Sequence, residues 1–151
     1  MTWIFHLKWN LDVSISVWLL SLLVMREEQV PYSYLPGGRV QFGESAEEAI
    51  LREIQEELAC PAQIIRPLWL AQSFFTEEVS GEAFHELCLY FLIEVPNISK
   101  ADFTVMEKKR ENHFFWLDFQ QLQEEVVYPK FLREEIFRLP EHLTMRIERE
   151  N

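Results

Sequence analysis

From Ser45 to Leu58 the chain is written as a helix with one face for a core and another crowded with charge. Ser45 is a strong N-cap and Glu48, three residues on, completes a capping box, so two otherwise unpaired amides at the helix start find partners locally. Ala46, Ala49, Ile50, Ile54 and Leu58 recur at helical spacing as an apolar stripe. Glu53, Glu56 and Glu57 fall at i, i+3 and i+4, which puts three carboxylates on one face. Glu47 and Glu48 suit the positive end of the helix dipole, but those three crowd its negative end, where basic residues belong. Arg52 is the only local compensation, and like charges three or four apart cost ~0.2–0.5 kcal/mol per pair. Such a face is either solvated, as most Glu-rich helix faces are, or it binds a cation.

What precedes the helix bears on that choice. Leu35-Pro36-Gly37-Gly38 is a stiff turn followed by a permissive one, suited to bringing backbone amides and carbonyls against a ligand, and Gly43 allows a second bend before Glu44. Carboxylates and carbonyls are the ligands of hard divalent cations, and magnesium typically keeps waters and shares its shell with substrate phosphates.

The whole segment from Gly38 to Cys60 resembles the Nudix box: Gly, five residues, Glu, seven residues, then Arg-Glu-apolar-any-Glu-Glu-any-Gly-apolar. Gly38, Glu44, Arg52, Glu53, Ile54, Glu56 and Glu57 fill the specified positions in register, over 23 of 151 residues. Ala59 stands where the family has glycine, and Cys60 is the apolar residue after it. Glycine there tolerates the left-handed backbone that ends a helix, so alanine should cost about 1 kcal/mol or end the helix differently. Pro61 forces a stop soon after, and no carboxylate is lost, so the departure reads as structural.

The resemblance implies an α/β/α sandwich, a mixed sheet between helices, and metal-dependent hydrolysis of the pyrophosphate bond of a nucleoside diphosphate linked to another group. By match to the motif, Glu53, Glu56 and Glu57 hold Mg2+, or Mn2+ in its place, with the Gly37 carbonyl as a further ligand. Arg52 orients the carboxylates through a salt bridge, and Glu44 supports the arrangement. Gly38, Arg39 and Arg26 are the candidates for substrate contact, although ordinary surface arginines explain the last two about as well. For the general base, members that supply a glutamate from a later loop point to Glu111, five residues before Trp116, with Glu107 second; solvated loop acids are the plain alternative. Phe75-Thr76-Glu77-Glu78 carries neither the proline nor the tyrosine that marks subgroups selective for ADP-ribose or diadenosine polyphosphates, so nucleotides, nucleotide sugars and dinucleotides all stay open. So does a non-catalytic module that binds a nucleotide or a partner protein, since fold does not fix function.

A formal charge of −11, with 14 Lys and Arg against 25 Asp and Glu, argues against a sequence-independent grip on long nucleic acid. A small phosphorylated ligand is compatible if metal neutralises it. The length fits one domain over residues 1–151, and 48% hydrophobic residues suffice for a core; monomer and homodimer are both allowed. Cys60 and Cys88 form neither a metal-binding pair nor a disulfide framework, which suggests a reducing, cytoplasmic setting. Val13 to Met25 is too short to span a bilayer, which needs ~20 apolar residues. Its alternation of Val13, Ile15 and Val17 with serines reads as strand, in a first hairpin abbreviated near Leu20 to Ser21 or at an altered sheet edge.

Farther along, strands are expected at Arg39 to Phe42, Gln63 to Phe75 with Pro67 at an edge or bulge, Phe84 to Val95, and His113 to Leu117. Glu77 to Gly81 suits a hairpin loop, and Asn97 to Asn112 reads as loop. Helices are expected from Asp118 to about Glu125 and from Lys130 to Leu139 behind Pro129, followed by a polar, mobile tail from Glu141 to Asn151.

Overall fold

A computed structural model of the chain describes residues 21–95, 102–107 and 109–149. The expected strand through Val13 to Leu20, the stop at Pro96, the loop residues just after it and the last two residues lie outside these. Along the described chain run β1 (Ser21–Glu27), β2 (Ser33–Tyr34), α1 (Ala46–Leu58), β3 (Gln63–Thr76), β4 (Ala83–Glu94), β5 (Phe103–Glu107), β6 (Arg110–Asp118), β7 (Val127–Tyr128), α2 (Leu132–Glu135) and β8 (Thr144–Arg149). The order in the larger sheet is β5-β6-β1-β2-β7 and in the smaller β4-β3-β8. Both are mixed, because β2 runs parallel to β7 and β3 parallel to β8.

The alternation of β1 builds two cores. Leu22 and Val24 face a cluster that also takes Trp69, Tyr90, Leu132 of α2 and Ile136 just past its end. Leu23 and Met25 face the other way, onto Ile50 and Ile54 of α1 and Phe114 of β6. Each fully buried side chain of this size is worth about 1.5–3 kcal/mol of transfer free energy. The sandwich expected from the resemblance is present, with its sheet layer divided in two.

Local rules explain most elements. Ser45 Oγ accepts from the Glu48 amide at 3.1 Å, and the Glu48 side chain accepts from the Ser45 amide at 2.7 Å, the reciprocal cap expected. Ala59 closes α1 with φ 50° and ψ 35°, so the left-handed conformation is kept without glycine, its amide donating to Gln55 O. Pro67 sits at a bulge, where the β3–β4 register shifts on either side of it. Glu77 to Gly81 turns the hairpin, with Gly81 at φ 70°.

Other expectations are corrected. Arg39 to Phe42 is not a strand; the pairing falls to Ser33–Tyr34, and the loop is held to α1 through the Arg39 carbonyl. Phe103–Glu107 lies inside the stretch read as loop and forms β5, because Phe103 and Val105 alternate onto Phe114 and the α1 core. The helix expected from Asp118 shrinks to a 3-10 turn at Gln121–Gln123 that buries only Leu122. The one expected over Lys130 to Leu139 forms only at Leu132–Glu135, while Phe137 stays exposed. The polar tail is in part β8: Met145 and Ile147 point outward and Thr144, Arg146 and Glu148 inward, an inverted alternation that reads as solvated sequence. Edge pairing to β3 and the ion pair of Arg146 with Glu135 at 2.5 Å hold it.

Candidate active site

Arg52 is the organising group on α1. Its guanidinium grips Glu44 in a two-pronged contact, Nε to Oε2 at 3.0 Å and Nη2 to Oε1 at 2.7 Å. Nη1 donates to Glu53 at 2.7 Å and reaches Glu56 at 3.3 Å. Nη2 also donates to the Arg39 carbonyl at 3.2 Å, which ties the glycine loop to the helix. Planar guanidinium suits such a fork, and charge-assisted bonds of this kind are the strong ones. Held by Arg52 and then by the Gln41 amide at 2.7 Å, the Glu44 carboxyl titrates below the usual range.

Glu53 is packed against Gly38 so tightly that a Cβ at that position would overlap its carboxylate. Gly38 is needed here for close approach, whatever its backbone conformation. Behind this contact Pro36, Gly37, Glu53 and Glu57 line a small cavity, with room on the order of one water. Glu57 is the most perturbed acid of the group. Burial, followed by the charges of Glu53, Glu107 and Glu56, pushes its carboxyl up to about 8.

Side chains from the sheet complete the acidic surroundings. Glu107 on β5 lies near Glu57 and accepts from the buried Asn112 at 3.4 Å. Glu111 occupies the neighbouring strand with the opposite parity from Asn112 and Phe114, so it lies on the face turned away from α1. The structure thus brings the second candidate base, and not the first, toward the stripe. Arg26 is also elsewhere: it donates to Ser33 Oγ and Glu125 at 3.0 Å each and stacks over Phe115.

Beside the stripe opens a cleft of about 410 Å³ between the two sheets, with Arg39 on its lining. One wall carries Tyr34, Tyr32 and Tyr128, with the last two edge to face at 5.3 Å. Phe75 and Phe84, stacked at 5.5 Å, line the opposite side, above Cys88 and Tyr90. Tyr32 donates across the cleft to Glu77 at 3.2 Å. The Glu77 carboxyl, bound first by the Val79 amide and also by Ser80 and Tyr32, is held down at about 2. His85 stacks on Phe74 at 4.1 Å and is exposed.

The donor set near Gly37 is all oxygen, carboxylate and carbonyl, which fits a hard divalent cation. Among the described residues, however, no three His, Cys, Asp or Glu side chains are gathered closely enough to hold a metal ion. Glu53 and Glu56 are turned onto Arg52, and closing around a cation requires them to release part of that contact.

A NUDIX domain family model matches residues 18–136, which take in α1 and every strand described except β8. The chain belongs to the NUDIX domain family. Over 36 residues it is 58% identical to a Bacillus subtilis (strain 168) protein named "Putative 8-oxo-dGTP diphosphatase", a match covering 24% of each chain. In fold it is similar to a crystal structure of a UDP-X diphosphatase, at TM-score 0.56 and 19% identity, covering 91% of this chain and 60% of that one. An ADP-ribose pyrophosphatase from Streptococcus suis 89-1591 is similar at TM-score 0.54 and 15% identity, covering 96% of both. The chain thus spans a quarter of the Bacillus relative it matches and three fifths of the UDP-X diphosphatase. No helix among the described residues of this NUDIX protein is long and apolar enough to cross a membrane.

Proposed function

We propose that this NUDIX protein hydrolyses the pyrophosphate bond of a nucleoside diphosphate linked to another group, with divalent metal. The observation that carries the reading is the adjacency of an acid-rich helix face, built around Arg52 and Gly38, to an aromatic-walled cleft of about 410 Å³. Glu53, Glu56, Glu57 and the Gly37 carbonyl would hold Mg2+ or Mn2+. Bound there, the cation would supply charge neutralisation and a water of lowered pKa.

The protein's own residues then have separable tasks. Arg52 keeps Glu53 and Glu56 oriented while giving up contact to a cation. Gly38 lets Glu53 lie against the loop, Arg39 offers the cleft its guanidinium for phosphate, and the aromatic walls take a flat base. Glu107, close to Glu57, is the better placed of the two candidate bases. Names of the relatives point to 8-oxo-dGTP, UDP-linked and ADP-ribose compounds. A cytoplasmic site of action accords with two unpaired cysteines.

The ungathered acids favour a second reading, a non-catalytic nucleotide-binding module. Incubating the protein with 8-oxo-dGTP, dGTP, UDP-glucose and ADP-ribose, with magnesium or manganese, and measuring released phosphate, pyrophosphate or nucleoside monophosphate separates the two. Metal-dependent turnover of any member supports the enzyme; binding without turnover supports the module.

A further inference from the structure

Tyr34 is the one residue among those described that both lines the large cleft and packs against the apolar cluster under α1. It stands on β2 opposite Met25 of β1, three residues before Gly37, with its ring 6.5 Å from that of Tyr32 on the same wall. A molecule reaching from the aromatic cleft to Glu53 and Glu57 therefore passes Tyr34.

Chemistry at that junction is one-sided. The carboxylates of Glu27, Glu57 and Glu107 are the electrostatic neighbours of Tyr34, and ionised carboxylates only accept hydrogen bonds. Phosphate oxygens also only accept. Among the described residues lining the cleft, Arg39 is the sole cation, so the other side-chain donors that an anionic diphosphate meets there are neutral, chiefly hydroxyls. A phenol adds a donor without a positive charge that the surrounding glutamates would capture.

Resting on the hydrolase reading, we propose that the Tyr34 hydroxyl donates a hydrogen bond to a diphosphate oxygen of the substrate where it leaves the cleft for the α1 carboxylates. Tyr34 is on this view a substrate-binding residue, acting alongside Arg39. Such a bond exists before and during reaction, so it lowers KM more than it raises kcat.

The test is Tyr34→Phe, which keeps the ring on the α1 core and removes only the hydroxyl. Two readouts are taken: KM and kcat for whichever panel nucleotide the wild type hydrolyses, and the magnesium-dependent thermal shift caused by inorganic pyrophosphate. A rise in KM of about tenfold or more with kcat within about twofold, and a smaller pyrophosphate shift, is expected for a lost bond to a charged group. An unchanged KM and an unchanged pyrophosphate shift overturn the role of Tyr34 and leave hydrolysis standing. If the wild type hydrolyses nothing in the panel while Tyr34→Phe still weakens the pyrophosphate shift, the hydrolase reading fails and the role of Tyr34 survives. Absence of both turnover and any pyrophosphate shift in the wild type overturns both.

Discussion

The carboxylate of Glu53 rests directly on the backbone of Gly38, in space that a Cβ would occupy. Gly38→Ala therefore has to displace Glu53, and with it the Arg52 contact at 2.7 Å. Overpacking of this kind costs about 1–3 kcal/mol. The variant is expected to melt lower and to lose at least tenfold in metal-dependent turnover, checked by thermal melting and by the nucleotide panel. Wild-type turnover in Gly38→Ala would separate this contact from the chemistry.

Glu56→Gln is expected to fold normally and to lose activity by a hundredfold or more. The Glu56 side chain is 59% exposed and touches Arg52 only at 3.3 Å, so the change removes a ligand charge with little structural consequence. Circular dichroism and single-turnover hydrolysis check the two halves of this expectation. An active Glu56→Gln protein would remove Glu56 from the set of metal ligands.

Glu57 ties stability to pH in the metal-free protein. Its folded carboxyl titrates at about 8, above the ordinary carboxylate value of 4.5, so between those values the folded state holds a proton that the unfolded state has released. Stability contributed by this proton is present below about 4.5 and is lost as pH rises through 8. Melting in chelator should therefore fall between pH 5 and pH 8, and Glu57→Gln should flatten this component of the fall. A melting curve of wild type whose slope over this range matches that of Glu57→Gln would contradict it.

Ala59→Gly is expected to leave turnover nearly intact and to change stability by no more than about 1 kcal/mol. Alanine at φ 50° carries a left-handed penalty that glycine lacks, while glycine gains freedom in the unfolded chain, so the two effects oppose. Denaturant unfolding with kinetics on the same preparations measures both. A large gain in turnover would mean that Ala59 limits the chemistry.

Magnesium should raise the melting temperature of the wild type, and a non-hydrolysable nucleotide analogue should raise it further only with magnesium present. A −11 chain with a glutamate stripe repels bare polyphosphate until a cation bridges them. Binding to the folded state at 100 times its dissociation constant stabilises by about 2.7 kcal/mol. The double variant Glu53→Gln/Glu57→Gln should lose most of the metal response; an equal response would place the cation elsewhere.

Elements governed by short-range rules were legible in the sequence. The Ser45–Glu48 cap, the helix it starts, the bulge at Pro67 and the hairpin at Gly81 each follow from residues a few positions apart. What escaped depends on partners distant in the chain. Phe103 to Glu107 is a five-residue run set among charged residues and passes for loop until β6 supplies its hydrogen bonds, and Met145 and Ile147 look like tail residues because their face of β8 is open. In the site, spacing picked out the helix acids and Arg52, but the parity that turns Glu111 from α1 and Glu107 toward it is a property of strand pairing. The cleft's wall was equally hidden, since Tyr34, Tyr128 and Phe84 meet only when two sheets face each other.

The parallel register that joins Trp69 to Thr144 and Phe74 to Arg149 has a kinetic meaning. Closing so long a loop is entropically costly beside the local β3–β4 hairpin, so this pairing forms after that hairpin. Until it forms, the Trp69–Phe74 edge of β3 is an unpaired row of amides and carbonyls flanked by leucine and phenylalanine. Such an edge is a template for other chains. During refolding the concentration of the protein should therefore matter most in the interval before its last described strand docks, when chains that meet edge to edge aggregate in competition with completing the small sheet.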